Sequence, residues 1–361
     1  MAHDHALNGA DGDAAFDDID IKDALGLPDA LPPIRLLPLP ELAALARTAP
    51  IVRQLAALAD WVGKDGREVD DDGLLSPEAA ADAAASVGLD GDDLALLWEY
   101  AFAAEWLDID VEDDDRDPDQ ADRAMRGETA GDWAAGTDEG VFAAWTYTFA
   151  AVLSETLLLY GPEPEVEGDD EDDEPEFDFL GQGMALAVLL FLARREGLTL
   201  DEFAEVLWEN AAGGHDEDDL DAHEEIAEAR AEWEAEYGDA AGLLLEKLKD
   251  VLGVTEDSAV VDGEVMIQLT PLGLAALHDQ LVEAGVQIPL LPPTAAELSA
   301  AELLAMAGGV TDAAFEAEAS AWIAARGAGP AARELLELAA ESEPGERMLA
   351  VAAVTGIGAP A

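Results

Sequence analysis

Across residues 259–269 the hydrophobic pattern of this chain changes period, and that change limits what it can fold into. On either side of this stretch, the organised parts of the sequence repeat apolar residues three and four apart, as one face of a helix requires. Here Ala259 and Val261, then Val265, Ile267 and Leu269, alternate with other residues around Asp262-Gly263. Asp-Gly between two alternating runs signals a tight hairpin, because the turn that matches strand twist needs positive φ at its centre. Thr270 and Pro271 then start a helix that closes at Gly285. Half of the chain is hydrophobic and Ala leads that half, which favours helix over sheet. The expected fold class is mainly α, with a short β-hairpin set among helices.

The helices before the hairpin carry their own start signals. An apolar helix is expected from about Leu180 to Arg195, stopping at Gly197. Thr199 and Glu202 form a capping box, with Leu198 and Phe203 as its hydrophobic staple, for a helix carrying Leu200, Phe203, Leu207 and Trp208. An acidic helix over 218–237 and another over 239–252 lead into the strands. Closer to the amino terminus, a helix starts at Glu41 or Pro50 and ends at Gly63. Ser76-Pro77 caps a second that ends before Gly88, and a third over 92–106 aligns Leu94, Leu97, Trp98 and Ala101. A further helix is expected over 139–160. After residue 290 the pattern is helical throughout, with Thr294 and Glu297 as a capping box, Thr311 starting a helix through Trp322, and Pro330 and Pro344 opening two more.

These signals divide the chain. Residues 1–40 mix acids with five prolines and read as a flexible leader. A helical domain follows over 41–160, then an acidic, Pro-containing linker over 161–178. The hairpin-bearing domain occupies 179–290, and residues 291–361 form a HEAT-like helical-repeat tail. Its last helix, with Val351, Val354 and Ile357, has no polar cap, so either the chain continues or that face is an interaction surface.

Charge narrows the function classes. Against 82 Asp and Glu stand 17 Lys and Arg, a formal net charge of −65. Such a field repels nucleic acid and anionic membranes and attracts basic proteins. A high-salt cytoplasm or a GC-rich genome would each produce it. No Cys occurs, which excludes disulfides, thiolate metal sites and Cys nucleophiles. The first twenty residues are acidic, unlike a secretory signal, so a cytoplasmic location is expected. The apolar runs Val141–Tyr160 and Met184–Ala193 read as buried core helices, since the first contains Glu155 and the second falls short of the roughly 20 residues of a span.

Three helices, a tight hairpin and a following helix, joined by Leu269-Thr270-Pro271-Leu272-Gly273, resemble a winged-helix domain over about residues 180–286. The stretch from Ala49 to Val111 resembles a degenerate first copy. The segment Ile51–Gly63, read with the tail, is similar to an uncharacterised family of GC-rich actinobacteria in which winged-helix-like modules precede helical repeats. The resemblance implies that, in DNA-binding members of the fold, the helix before the hairpin enters the major groove and the wing touches phosphate. Here that helix offers Lys247 and Lys249 beside Glu246 and Asp250, and the wing offers Glu256, Asp257, Asp262 and Glu264. Between Asp239 and Pro271 two cations face seven acids, too few to release counterions from a duplex.

No catalytic, cofactor or metal site is expected. His215 and His223 sit among acids, but eight helical residues would separate them by about 12 Å, too far for one ion. His3 and His5 lie in the leader, and His278 reads as a boundary histidine. Asp108, Asp110 and Glu112 begin like a calcium loop, yet Asp113 and Asp119 occupy the positions that geometry reserves for Gly and Glu. Phosphate-binding Gly loops, nucleophile elbows and two-His zinc helices do not occur. Trp98, Trp145, Trp208 and Trp322 fall on apolar faces and read as core. The expectation is a noncatalytic interaction or scaffold protein with a protein partner of basic character. The alternatives are a winged-helix transcriptional regulator binding DNA and a hydrolase whose site has no recognised motif.

Overall fold

The computed structural model describes residues 22, 26–70, 72–109, 122–155, 182–211, 227, 230, 231, 233–235, 238–261 and 264–358. It is mainly helical, with small antiparallel sheets. Among these residues the chain forms two compact units, one drawn from Leu39–Val188 and Thr199–Glu256, the other from Asp20–Pro38, Leu189–Leu198 and Asp257–Ala361.

In the first unit the expected single helix before Gly63 is two, α1 (Leu39–Ala46) and α2 (Pro50–Val62), because Pro50 takes the first position of a new helix. Gly63, at φ 74°, closes α2. After strand β1 (Arg67–Val69), the Ser76 side chain accepts from the Ala79 amide and opens α3 (Pro77–Val87), which ends at a left-handed Gly88, as its sequence predicts. Helix α4 (Gly91–Ala103) buries Leu94, Leu97, Trp98 and Ala101 but stops before Trp106.

Asp108 of the calcium-loop comparison lies inside strand β2 (Leu107–Ile109), and residues 110–121 lie outside the described set. Strand β3 (Asp122–Arg126) pairs antiparallel with both β1 and β2, giving the order β1-β3-β2, with Ala124 opposite Arg67 on one side and Ile109 on the other. Two helices follow where one was expected, α5 (Glu128–Ala135) and α6 (Asp138–Glu155), separated at left-handed Gly136. Trp106 closes the core beneath the sheet. It is fully buried, donates to Thr148 Oγ1 at 2.7 Å and tilts onto Trp133 at 5.7 Å.

The chain then continues through α7 (Gln182–Leu192), α8 (Leu200–Ala211) and α9 (Ala240–Glu246), the last running on as a π-helical turn over Lys247–Val251. The Thr199–Glu202 capping box is formed: the Glu202 carboxylate accepts from the Thr199 amide at 2.8 Å, and the Glu202 amide donates to Thr199 Oγ1. The Thr199 amide and the Thr199 hydroxyl, which donates at 3.0 Å, together hold the Glu202 carboxyl below its usual range. Phe203, Leu207 and Trp208 are buried, whereas Leu200 is exposed.

In the second unit, residues expected within a flexible leader run beside 287–292. Ala30 bridges Gln287 and Ile34 bridges Leu290 in parallel fashion, and Leu27 and Ile34 are buried. Their apolar side chains, rather than any period, fix this segment. Strands β4 (Thr255–Val261) and β5 (Glu264–Leu269) form a two-stranded sheet, while Asp262 and Gly263 lie outside the described residues. Leu198 and Ile267 exchange both backbone hydrogen bonds, at 3.1 and 2.7 Å. Thr270 caps α10 (Pro271–Glu283) by accepting from the Gly273 amide.

The tail contains α11 (Ala300–Ala305), α12 (Asp312–Arg326), α13 (Ala328–Glu341) and α14 (Pro344–Gly358). Its capping box is Ser299–Glu302, not Thr294–Glu297, which form only a 3-10 turn without a side-chain cap. Either pair satisfies the motif in sequence. Leu298, fully buried, fixes the choice by placing Ser299 at the helix start. Trp322 anchors this core, donating to the Leu298 carbonyl at 2.9 Å with the Arg326 guanidinium 4.5 Å from its ring centre.

Candidate interaction surfaces

Three surfaces bear on what the chain can recognise. The first is the end of α9 with its π turn. Lys247 does not face a ligand: its ammonium nitrogen has no solvent access, and burial pushes its pKa down to about 8. Glu246 and Asp250 beside it are exposed, as are Glu256, Asp257 and Glu264 on the hairpin. With the Lys247 ammonium out of solvent, the exposed charge at this end of α9 is more acidic than the sequence balance indicates.

The second surface is the helix–sheet region of 50–126. Its helix before the paired strands, α4, contains Asp92, Asp93 and Glu99 and no cation. The Arg side chains of the sheet turn back onto the fold. Arg123 donates to the Asp65 carbonyl at 3.0 and 2.6 Å and to the Gly66 carbonyl at 3.0 Å. Arg126 pairs with Asp60 at 3.0 Å, and Arg67 donates to the Trp61 carbonyl with its guanidinium 4.4 Å from the Trp61 ring centre. Arg47 reaches the Gly136 carbonyl and Asp138. A guanidinium engaged on a carbonyl already has directed partners for its donors.

The third surface is α14. Val351 is exposed, Val354 packs partly against the tail core, and Ile357 lies in the last turn. Between Val351 and Val354 the side chains therefore pass from solvent toward the core. Two residues missed by that reading are Met348, 75% exposed, and Leu349, 48% exposed. Their signal in the sequence is an absence: residues 347–358 contain no acid at all in a chain with 82.

Of the histidines, His278 is buried on α10, with Nδ1 3.0 Å from Asp279 and Nε2 3.2 Å from the Ile288 carbonyl. His3, His5, His215 and His223 lie outside the described residues, as do Asp110 and Glu112 of the calcium-loop comparison. Among the described residues, no group of three or more His, Asp or Glu side chains is placed to hold a metal ion. No single described helix is long and apolar enough to cross a membrane. The pair α1–α2 reaches that length only with a bend of 68°, and its apolar residues Leu42, Ile51, Val52, Leu55 and Leu58 are buried in the first unit. Comparison with family models, with curated proteins and with solved structures finds no match to this chain.

Proposed function

We propose that this chain is a noncatalytic, cytoplasmic interaction scaffold in which two winged-helix-like modules precede a helical-repeat tail, and that its partner is a basic protein rather than DNA. Support for the modules comes from order and pairing. Residues 50–126 run helix, strand, helix, helix, strand, strand, with the first strand paired to the third. Residues 182–269 contain the same sequence of elements with additional helical residues at 227, 230, 231 and 233–235, and a single bridging residue, Leu198, stands for the first strand and pairs with Ile267 of the last. In each, a left-handed Gly precedes the first strand where a Cβ would crowd the third: Gly66 lies against the Ala124 carbonyl and Gly197 against the Ile267 carbonyl. The likeness to the actinobacterial family belongs to this same reading.

The observation that carries the functional part is the disposition of cations. In a fold that reads DNA, Lys and Arg face the phosphates; here the Lys247 ammonium is out of solvent and Arg67, Arg123 and Arg126 bind the protein's own carbonyls and carboxylates. A direct test immobilises the full chain and offers it a histone and random duplex DNA in the same buffer. The scaffold reading expects the histone to be retained at 0.1 M salt and released at about 1 M, where the Debye length shrinks to about 3 Å, with DNA passing through. Retention of DNA in place of the histone would install the transcriptional-regulator alternative.

A further inference from the structure

Helix α14 is apolar on its solvent side as well as on its core side. Ala350 is fully buried and Ala353 and Val354 pack on the tail core, while Met348, Leu349, Val351 and Ala352 are exposed. A helix that is hydrophobic all round is ordinarily covered. Single exposed apolar residues need no explanation, but several within two turns mark a contact surface. On α13, which packs directly against α14, Leu336 is 51% exposed. Arg347, the one charge of the 347–358 stretch, does not break the patch, because its guanidinium turns back to donate to the Ala339 and Ser342 carbonyls.

The flanking charges say what can cover it. Glu337 and Glu341 on α13 and Glu343 at the start of α14 are exposed, all toward the turn that joins the two helices. An apolar strip ending in a row of carboxylates complements a helix with large apolar residues on one face and Lys or Arg beside them. A second copy of this chain carries the same net charge of −65, which opposes its approach as a whole. An anionic lipid surface would be repelled in the same way. We propose that the outer face of α14 docks a basic amphipathic helical segment of a partner protein. This rests on the scaffold reading above and names the docking site and the chemistry of its occupant.

The test uses the full chain and a labelled 18-residue Leu/Lys peptide whose leucines fall on one helical face, compared with a scrambled peptide of identical composition. Fluorescence anisotropy should give at least about tenfold tighter binding for the amphipathic peptide, since one decade corresponds to only a few buried methylenes. Met348→Asp and Val351→Asp, both at exposed positions, should lower its affinity to that of the scramble with helix content by circular dichroism unchanged. Val282→Asp, at an exposed apolar position on α10, should keep the preference. Equal affinities for the two peptides would overturn the proposal, leaving only polyanion attraction. So would a preference that survives both aspartate variants. A concentration-dependent dimer that Met348→Asp dissociates would assign the face to a second copy instead, and adsorption to phosphatidylcholine vesicles lost in the same variant would assign it to lipid. Failure of the scaffold reading is separate, because it shows as DNA retention by the full chain whatever the peptides do.

Discussion

Two stretches of this chain each end in a pair of strands behind a run of helices and fix those strands by different means. In 50–126 the third strand, β3, has a registered neighbour on each side, yet β1 and β2 are three residues long. Strands that short hold few ladder bonds, and the added restraint comes from Arg123 and Arg126 of β3 itself, which reach the turn before β1 and Asp60 on α2. In 182–269 the bridge of the single residue Leu198 takes the place of a first strand, and the strands β4 and β5 are longer, at seven and six residues. The second stretch therefore needs no Arg in its sheet and contains none there. In the weaker sheet Arg67, Arg123 and Arg126 are thus engaged on the fold's own carbonyls and carboxylates, while Arg35, Arg195 and Arg326 make their ion pairs in other elements.

The largest expected effect tests whether the first sheet rests on its Trp. Trp106→Ala should cost roughly 3–5 kcal/mol, the range for a deleted buried aromatic, read as a lower urea midpoint of the full chain. A parental midpoint would mean that the sheet of 50–126 is held by its arginines alone. Next in size, Gly66→Ala and Gly197→Ala should each lose about 1–3 kcal/mol, because both glycines combine positive φ with a third-strand carbonyl 2.8 or 2.7 Å from the added methyl. Similar losses sharpen the equivalence of the two stretches, and a loss in only one of them breaks it.

A smaller effect of opposite sign is expected at Lys247. Its folded pKa is depressed to about 8 by burial, so the unfolded chain binds the proton more tightly and stability should rise as pH climbs from about 8 to the ordinary lysine range near 10.4. Lys247→Met should remove that rise and stabilise the protein at pH 7 by on the order of 1 kcal/mol, once the solvent screening of a half-buried group is allowed for. Thermal melts of both proteins across pH 7–10 decide it, and parallel curves would place the Lys247 ammonium in solvent.

Much of the helical part was legible because its signals are local. Ser76-Pro77, Thr199–Glu202, Thr311 and Pro344 each mark a helix start that the structure contains. Trp98, Trp145, Trp208 and Trp322 are buried as their apolar faces imply. The three-stranded sheet was not legible. Leu107–Ile109 is too short to display a period of two, and Asp122-Arg123-Ala124-Met125-Arg126 reads as a charged loop until Arg123 and Arg126 find their partners far away in sequence. The segment 27–38 escaped for the same reason, since its order comes from pairing with Gln287 and Leu290, far away in sequence. On α14, attention to spaced valines passed over Met348 and Leu349, whose meaning lies in the missing acids around them.

The account turns on the sheet arginines supporting the fold rather than contacting phosphate, and the double variant Arg123→Gln/Arg126→Gln addresses that directly. Its urea midpoint and its effect on the anisotropy of a labelled random duplex, at 0.1 M KCl and protein up to about 10 µM, within the range where ordinary DNA binders respond, should be measured beside the parent. The account predicts a loss of about 1–3 kcal/mol, as for hydrogen bonds from charged groups, and a flat anisotropy trace for both proteins. Duplex binding by the parent that the double variant abolishes, with the urea midpoint unchanged, would contradict it.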